Sequence, residues 1–483
     1  MNRIPTETDV IVIGSGVSGL AAALTAAEGG AKVVVFEKQR SLGGTSNFFD
    51  GMFAVESEMQ RERYIGYSRD EAFTNIMEYS HWRANPRLVR AIVDESGSTI
   101  GWLRGLGVEF IDATTMMPDG PLTYHVVKGQ GAAVIKVLAT AVKDKGVDLR
   151  LATPAKEILR EGGVVCGVIA EEDDQRIKVT AKAVIIASGG YANNKEWIKK
   201  YSGFDLDVNL IPVGNVDKMG DGIRMAWEVG AGNENLGLLE LFAVGPVGPE
   251  FAMKSAIELV AAQPDLWVDP VGLRFCDESI GFYDSSVGNA NARYKEGFTY
   301  RLFDDSIKER LMERGIDKSV GMDNPPGTKP VGFDRELQAA LERGTTEVMV
   351  ADSLEELAGK MEVDPILLTA TVAEYNRFCA RGHDELFAKE PRYLRSLKGP
   401  RFYAVKARTI FLGTLGGIKI NERMEVIDKK GKTIPGLYAV GFDAAGGMYG
   451  DSYSIKVSTG ISAGFATNSG RLAGRNALAY MRK

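Results

Sequence analysis

Apolar and polar positions along the chain change period several times, and the changes outline its elements. Residues 10–13 (VIVI) and 32–36 (KVVVF) are short apolar runs of strand length, and residues 17–27 between them carry apolar positions at helical spacing. Strands and helices go on alternating to about residue 239. The alternation returns from about residue 412, with a strand at 437–440 and a terminal helix near 461–480. Both parts are expected to form one doubly wound α/β domain. Residues 69–106, periodic in apolar positions and interrupted by Pro86, predict helix packed on its outside. Residues 240–411 differ, with helices near 304–314, 354–361 and 365–378, and predict an inserted α+β domain. The expected division is 1–239 with 412–483, and 240–411. No internal repeat or low-complexity segment is visible.

The turn between the first strand and helix, IGSGVSG, has the spacing of a Rossmann dinucleotide-binding unit. Gly14 permits the tight turn, Gly16 lets the backbone approach a pyrophosphate, and Gly19 lets helix and strand pack closely. Glu37, 23 residues after Gly14, ends the second strand, where a carboxylate can accept from a ribose. A second glycine loop, SLGGTSNFFDG, follows with Gly43, Gly44, Thr45, Ser46 and Gly51. FAD enzymes of the glutathione reductase and succinate dehydrogenase superfamilies resemble this opening, and in them such a loop runs along the pyrophosphate toward the flavin. KAVIIASGGYANN, with Ala187, Ser188, Gly189 and Gly190, is similar to the strand and turn that close over the nucleotide. TIPGLYAVGFDAAGG, with Gly441 and Asp443, resembles the final FAD strand, and there an acid lies near the ribityl chain. The resemblance makes FAD the expected cofactor and adds Lys38, Asp221, Ser458, Gly460 and Ile461 to the expected contacts. No second glycine fingerprint appears, so a built-in NAD(P)H site is not expected, nor is a metal.

Five further strings carry a resemblance over nearly the whole chain: GQGAAVIKVLATAVKDKGVDLRLAT, MGDGIRMAWEVGA, DPVGLRFCDES, DPILLTATVAEYNRF and SGRLAGRNA. They resemble the soluble fumarate reductase and 3-ketosteroid dehydrogenase branch of the succinate dehydrogenase flavoprotein superfamily. The resemblance implies that the insertion is a mobile cap over the flavin, and that hydride moves to or from N5 while an acid or base handles a proton. The fumarate reductase positions do not carry over. The cap arginine would follow GLRFCDES, where Ile280, Gly281, Phe282 and Tyr283 stand. The relay acid matches Glu258, but its arginine falls on Ala261; the clamp histidine falls at Leu412 or Gly413, and the last clamp arginine at Tyr453. A desolvated dicarboxylate needs two or more charge-assisted contacts.

The ketosteroid branch is more similar here, because tyrosines carry proton work and grip a ketone in it. DESIGFYDS offers Tyr283 beside Asp284, PDGPLTYHVVKG offers Tyr124, and Tyr453 stands among Ser454, Ser458 and Thr459. Each tyrosine also has a plain core reading, and a phenol of pKa about 10 serves more readily as acid than as base. Lys456 is an alternative stand-in for the arginine, and His125 is either a packing residue or a proton group. Arg274 is expected to form a structural ion pair, and Cys276 to be a small buried hydrophobe. The expected activity is an FAD-dependent oxidoreductase acting on a C=C or CH–CH bond next to a carbonyl. Its small-molecule substrate would be an enone, enoate or ketone, with an external electron donor or acceptor. The alternatives are a fumarate-type enoate reductase fed by an external carrier, and a non-catalytic flavin-binding electron-relay subunit.

Composition narrows this little further. The 483 residues carry 58 Lys and Arg against 64 Asp and Glu, scattered through the chain, so no basic face suggests nucleic acid. Three cysteines are too few for a disulfide framework, and no apolar run approaches the roughly 20 residues that span a bilayer. The chain runs straight into a strand pattern without the features of a signal peptide. A cytoplasmic location is expected; an export signal removed beforehand would leave the same start.

Overall fold

The computed structural model describes residues 4–482, and they divide into two compact units. The first comprises residues 1–203, 214–240 and 412–483; the second comprises 204–213 and 241–411. Segment 204–213, read from sequence as part of the first domain, clusters with the second because Ile211–Pro212 pairs with the long strand Phe402–Thr414. The fold is α/β, a doubly wound Rossmann-like domain interrupted by an inserted α+β unit.

The first unit is built on a six-stranded sheet. Its order is Glu425–Ile427, Thr433–Ala439, Ala183–Ile186, Val10–Ile13, Val33–Phe36, Asp148–Arg150, parallel except for the first pair. The three central strands read VIVI, VVVF and AVII and are buried at every position, as strands covered on both faces must be. Helix Val17–Glu28 packs against the terminal helix Ile461–Met481 through small residues, Ala21, Ala22 and Thr25 facing Gly470 and Gly474. The stretch around Pro86 is two helices rather than one kinked helix. Arg69–Tyr79 starts at a Ser68 capping box, and Pro86–Gly105 starts at Pro86 itself, with Asn85 accepting from the first turn. Proline is pre-organised for the first helical position, whose N–H has no helical partner to lose.

In the second unit, strands Leu266–Val268, Phe298–Asp304 and Phe402–Thr414 form an antiparallel sheet, joined by Val348–Ala351. Helices Asp305–Arg314, Leu354–Met361 and Pro365–Arg381 lie where the sequence pattern puts them, each started by an acid or serine that accepts from its first turn. Their apolar faces close a core that includes Phe303, Phe333, Leu357, Tyr375 and Tyr403.

Candidate active site

In an open parallel sheet, ligands bind at the carboxyl ends of the strands. Three of those ends converge in the first unit. Gly14, at φ +107°, follows the first strand so closely packed that a Cβ there would lie 2.2 Å from the carbonyl oxygen of Ala187, at the end of the neighbouring strand. At Gly19 a Cβ would lie 2.1 Å from the Gly14 oxygen, so the first helix enters only where there is no side chain. Ser46 accepts from the Val17 N–H (3.0 Å) and so ties the second glycine loop, with its turn Gly44–Asn47, to the head of that helix. Thr45 donates to the Gly214 carbonyl at 2.7 Å, and Gly43 N–H to the Ser15 carbonyl.

The charged residues expected at the nucleotide are held by partners within the unit. Glu37 accepts from Ser15 N–H (2.9 Å), Ser15 Oγ (2.6 Å) and Gln39 N–H (2.8 Å). Lys38 and Asp221 form an ion pair with each other at 2.8 Å. Asp443, fully buried, accepts from Ser188 Oγ, Gly189 N–H and Gly190 N–H at 2.9–3.0 Å, so it holds the turn after the third central strand. Gly441 N–H donates to Ser469, and Gly460 precedes Ile461 at the head of the terminal helix. A cradle without side chains, an acid ending the second strand and a helix head beside both fit a dinucleotide.

Beside this cradle lies a buried polar chain. Tyr453, 8% exposed, bonds through its hydroxyl to Ser462 Oγ at 2.8 Å, and Ser462 donates to Glu240 Oε1 at 2.8 Å. Burial pushes the Tyr453 phenol well above its ordinary pKa, and the neighbouring Glu240 charge adds to the rise. Burial also raises the pKa of Glu240, against the hydrogen bonds of Tyr453 and Ser462 and the charge of Lys218. Lys218 is itself buried, which pushes its ammonium down to about 8 although Asp443 and Glu240 attract it; its Nζ lies 5.6 Å from the Phe442 ring centroid. Glu240, Ser462 and Lys218 escaped the sequence reading. An acid inside the apolar run LLELFAV was the available signal for Glu240; none marked the other two.

The other expected groups are placed as follows. Ser454 and Ser458 bond to each other at 3.0 Å, Ser458 also donates to the Ser454 carbonyl, and Thr459 to the Ile455 carbonyl. These hydroxyls stabilise their own turn, and it is Ser462 that extends the chain from Tyr453. Lys456 is exposed. Tyr124 is buried, with its ring against Gly51 and Gly460. His125 is fully buried, bonding Ser57 Oγ at 2.7 Å and the Thr123 carbonyl at 3.1 Å, and burial lowers its pKa to about 4; it is a neutral core histidine. The space a side chain at Gly413 would need is taken by the Phe442 ring, 2.3 Å from a Cβ there. In the second unit, Tyr283 is half-buried before helix Asp284–Asn291, and Glu258 accepts from the Lys254 N–H. Arg274 makes a buried ion pair with both Glu278 and Asp384 at 2.8 Å, and Cys276 is a buried free thiol.

Among the described residues no helix is long and apolar enough to cross a membrane. The FAD binding domain family matches residues 9–451. Vinyl phenol reductase from Lactiplantibacillus plantarum is 34% identical over 481 residues, covering 98% of this chain and 96% of that one. The fumarate reductase (cytochrome) of Shewanella frigidimarina is 30% identical over 493 residues, covering 99% of this chain and 78% of that one. Among solved structures, a 3-ketosteroid-delta4-(5alpha)-dehydrogenase from Rhodococcus jostii RHA1 shares the fold with a TM-score of 0.76 at 23% identity, covering 99% of this chain and 98% of that chain. The chain therefore belongs to the FAD binding domain family, and it is an FAD-dependent oxidoreductase related to vinyl phenol reductase and fumarate reductase.

Proposed function

We propose that the enzyme reduces the C=C bond of a neutral or monoanionic small molecule, conjugated to a carbonyl or a phenol ring, rather than a dicarboxylate. The Tyr453–Ser462–Glu240 chain carries this reading. A neutral phenol backed by a buried acid that is kept protonated offers a donor to an uncharged oxygen and gives a dicarboxylate no charge-assisted contact. The aromatic ring over Gly413 supports it, since it occupies the position at which a clamping histidine was sought. The name of the vinyl phenol reductase relative agrees with a conjugated aromatic substrate.

FAD, when bound, supplies the hydride chemistry. Gly14, Gly16, Gly19, Glu37, Gly43 to Ser46, Ala187 to Gly190, Gly441 and Asp443, with the helix head at Gly460 and Ile461, are the residues we assign to holding it. The chain's own residues then handle the proton. With Glu240 protonated, as burial favours, it donates to Ser462, Ser462 to Tyr453, and the Tyr453 O–H is left to donate to the substrate. Glu240, left as a carboxylate, regains its proton from solvent before the next turnover. Tyr283 is the second proton-transfer or carbonyl-binding group in this proposal, and Tyr124 acts by packing on Gly460. Electrons come from an external reduced carrier, and a cytoplasmic location, which suits three free cysteines, belongs to the same proposal.

The test is reoxidation of anaerobically reduced holoenzyme, followed by flavin absorbance, with 4-vinylphenol, a cyclic enone, a cinnamate and fumarate. At least one of the first three should reoxidise the flavin about a hundredfold faster than fumarate. Fumarate as the fastest oxidant would establish the dicarboxylate alternative, and turnover with none of the four would favour an electron-relay subunit.

A further inference from the structure

Arg301 lies in the middle of strand Phe298–Asp304 of the second unit and is 4% exposed. Its guanidinium stacks on the indole of Trp267, its partner across the sheet, 3.5 Å from the ring centroid. Among the described residues it makes no hydrogen bond and no ion pair, and Nη1 is sealed from solvent without a partner. Burial pushes its pKa down to about 9, which leaves it charged at neutral pH. Burying a charge without a counter-charge is costly, and a stacked aromatic face returns only part of that cost.

Among the described residues, the charged groups near it are engaged elsewhere. Glu278, the nearest carboxylate in electrostatic effect, is already engaged by Arg274 at 2.8 Å and Lys389 at 3.1 Å. Asp384 pairs with Arg274, and Asp265 with Arg395. The Cys276 thiol is pushed up to about 12 by burial and stays neutral. Trp267, on which the guanidinium stacks, belongs to an apolar cluster with Cys276, Val287, Phe275 and Ile280.

We infer that Arg301 anchors an anion site within the second unit, and that its ligand is a compact monovalent anion, either a halide or the carboxylate of a small molecule. The forked donor edge of a guanidinium suits a single carboxylate, and its weak hydration makes an apolar setting tolerable for it. A dianion would reverse the charge excess instead of cancelling it.

The test is thermal unfolding of FAD-loaded full-length protein at constant ionic strength, with a bulky sulfonate exchanged stepwise for chloride or for acetate. Wild type should gain stability saturably with chloride, acetate or both, and the responding anion identifies the source. Arg301→Leu should show no saturable response. Without binding anion, Arg301→Leu should be at least as stable as wild type, and the order should reverse at saturating anion. Parallel responses in the two proteins would overturn the site. Should Arg301→Leu fail to fold, wild-type crystals soaked in bromide and, separately, in 3-bromopropionate decide instead: an anomalous peak beside the guanidinium in either supports the site, and its absence from both refutes it.

Discussion

Replacing Tyr453 by phenylalanine deletes one hydroxyl and leaves a ring of nearly equal volume. The structural loss is the 2.8 Å bond to Ser462, while the Ser462 to Glu240 bond stays intact. Such a bond contributes about 1 kcal/mol net, so the unfolding midpoint should fall by only about 2–4 °C and FAD should stay bound. The catalytic loss should be of another size. A positioned proton donor contributes about 10²–10⁴-fold, equivalent to about 3–5 kcal/mol of activation free energy. Ser462→Ala, which removes the serine between Tyr453 and Glu240 but keeps the phenol and its own hydrogen bond to Glu240, should cost less, and adding it to Tyr453→Phe should cost little more, because both act in one chain. The proton-loaded form is lost as pH rises through the raised pKa of Glu240; the rate should fall over that range, and Glu240→Gln should abolish this dependence. The assay is single-turnover reoxidation of the reduced flavin. A Tyr453→Phe rate within about threefold of wild type would refute the relay.

His125 is neutral in the folded state, with its pKa lowered by burial from 6.5 to about 4. Its contribution is complete above pH 6.5 and lost as pH falls toward 4, a difference of about 3 kcal/mol; urea unfolding should show that loss in wild type and a flatter profile in His125→Gln. Arg274→Met leaves Glu278 and Asp384 buried without their shared guanidinium and should destabilise the second unit by about 3–5 kcal/mol, with partial recovery when Glu278→Gln is added. Gly19→Ala forces a methyl group to within 2.1 Å of the Gly14 carbonyl oxygen, so the protein should purify colourless, without flavin absorbance. Near-stoichiometric FAD in that variant would contradict the assignment of the turn.

The nucleotide half was legible in the sequence because its requirements are local. Gly14 and Gly19 are set by backbone conformation and by contacts between adjacent elements, and VIVI, VVVF and AVII show burial on both faces as unbroken apolar runs. The second unit's helices were legible for a similar reason: Asp304, Ser353 and Asp364 each satisfy the first turn that follows them. The interruption at Pro86 was legible too, and the structure makes it the start of a second helix, capped by Asn85.

Charge was the part the sequence could not settle. Tyr453 could be named from its motif, but its partner Glu240 lies 213 residues earlier, and only the folded chain joins them through Ser462. Lys218 and Arg301 read like any of the 58 basic residues until burial sets them apart. Dihedral preference, capping and apolar period act over a few residues, so the sequence alone determined the dinucleotide-binding fold, and its resemblance to FAD enzymes indicated the cofactor. Desolvation and pairing depend on every element packed around a group, so only the tertiary structure decided which side chains hold a proton or lack a counter-charge.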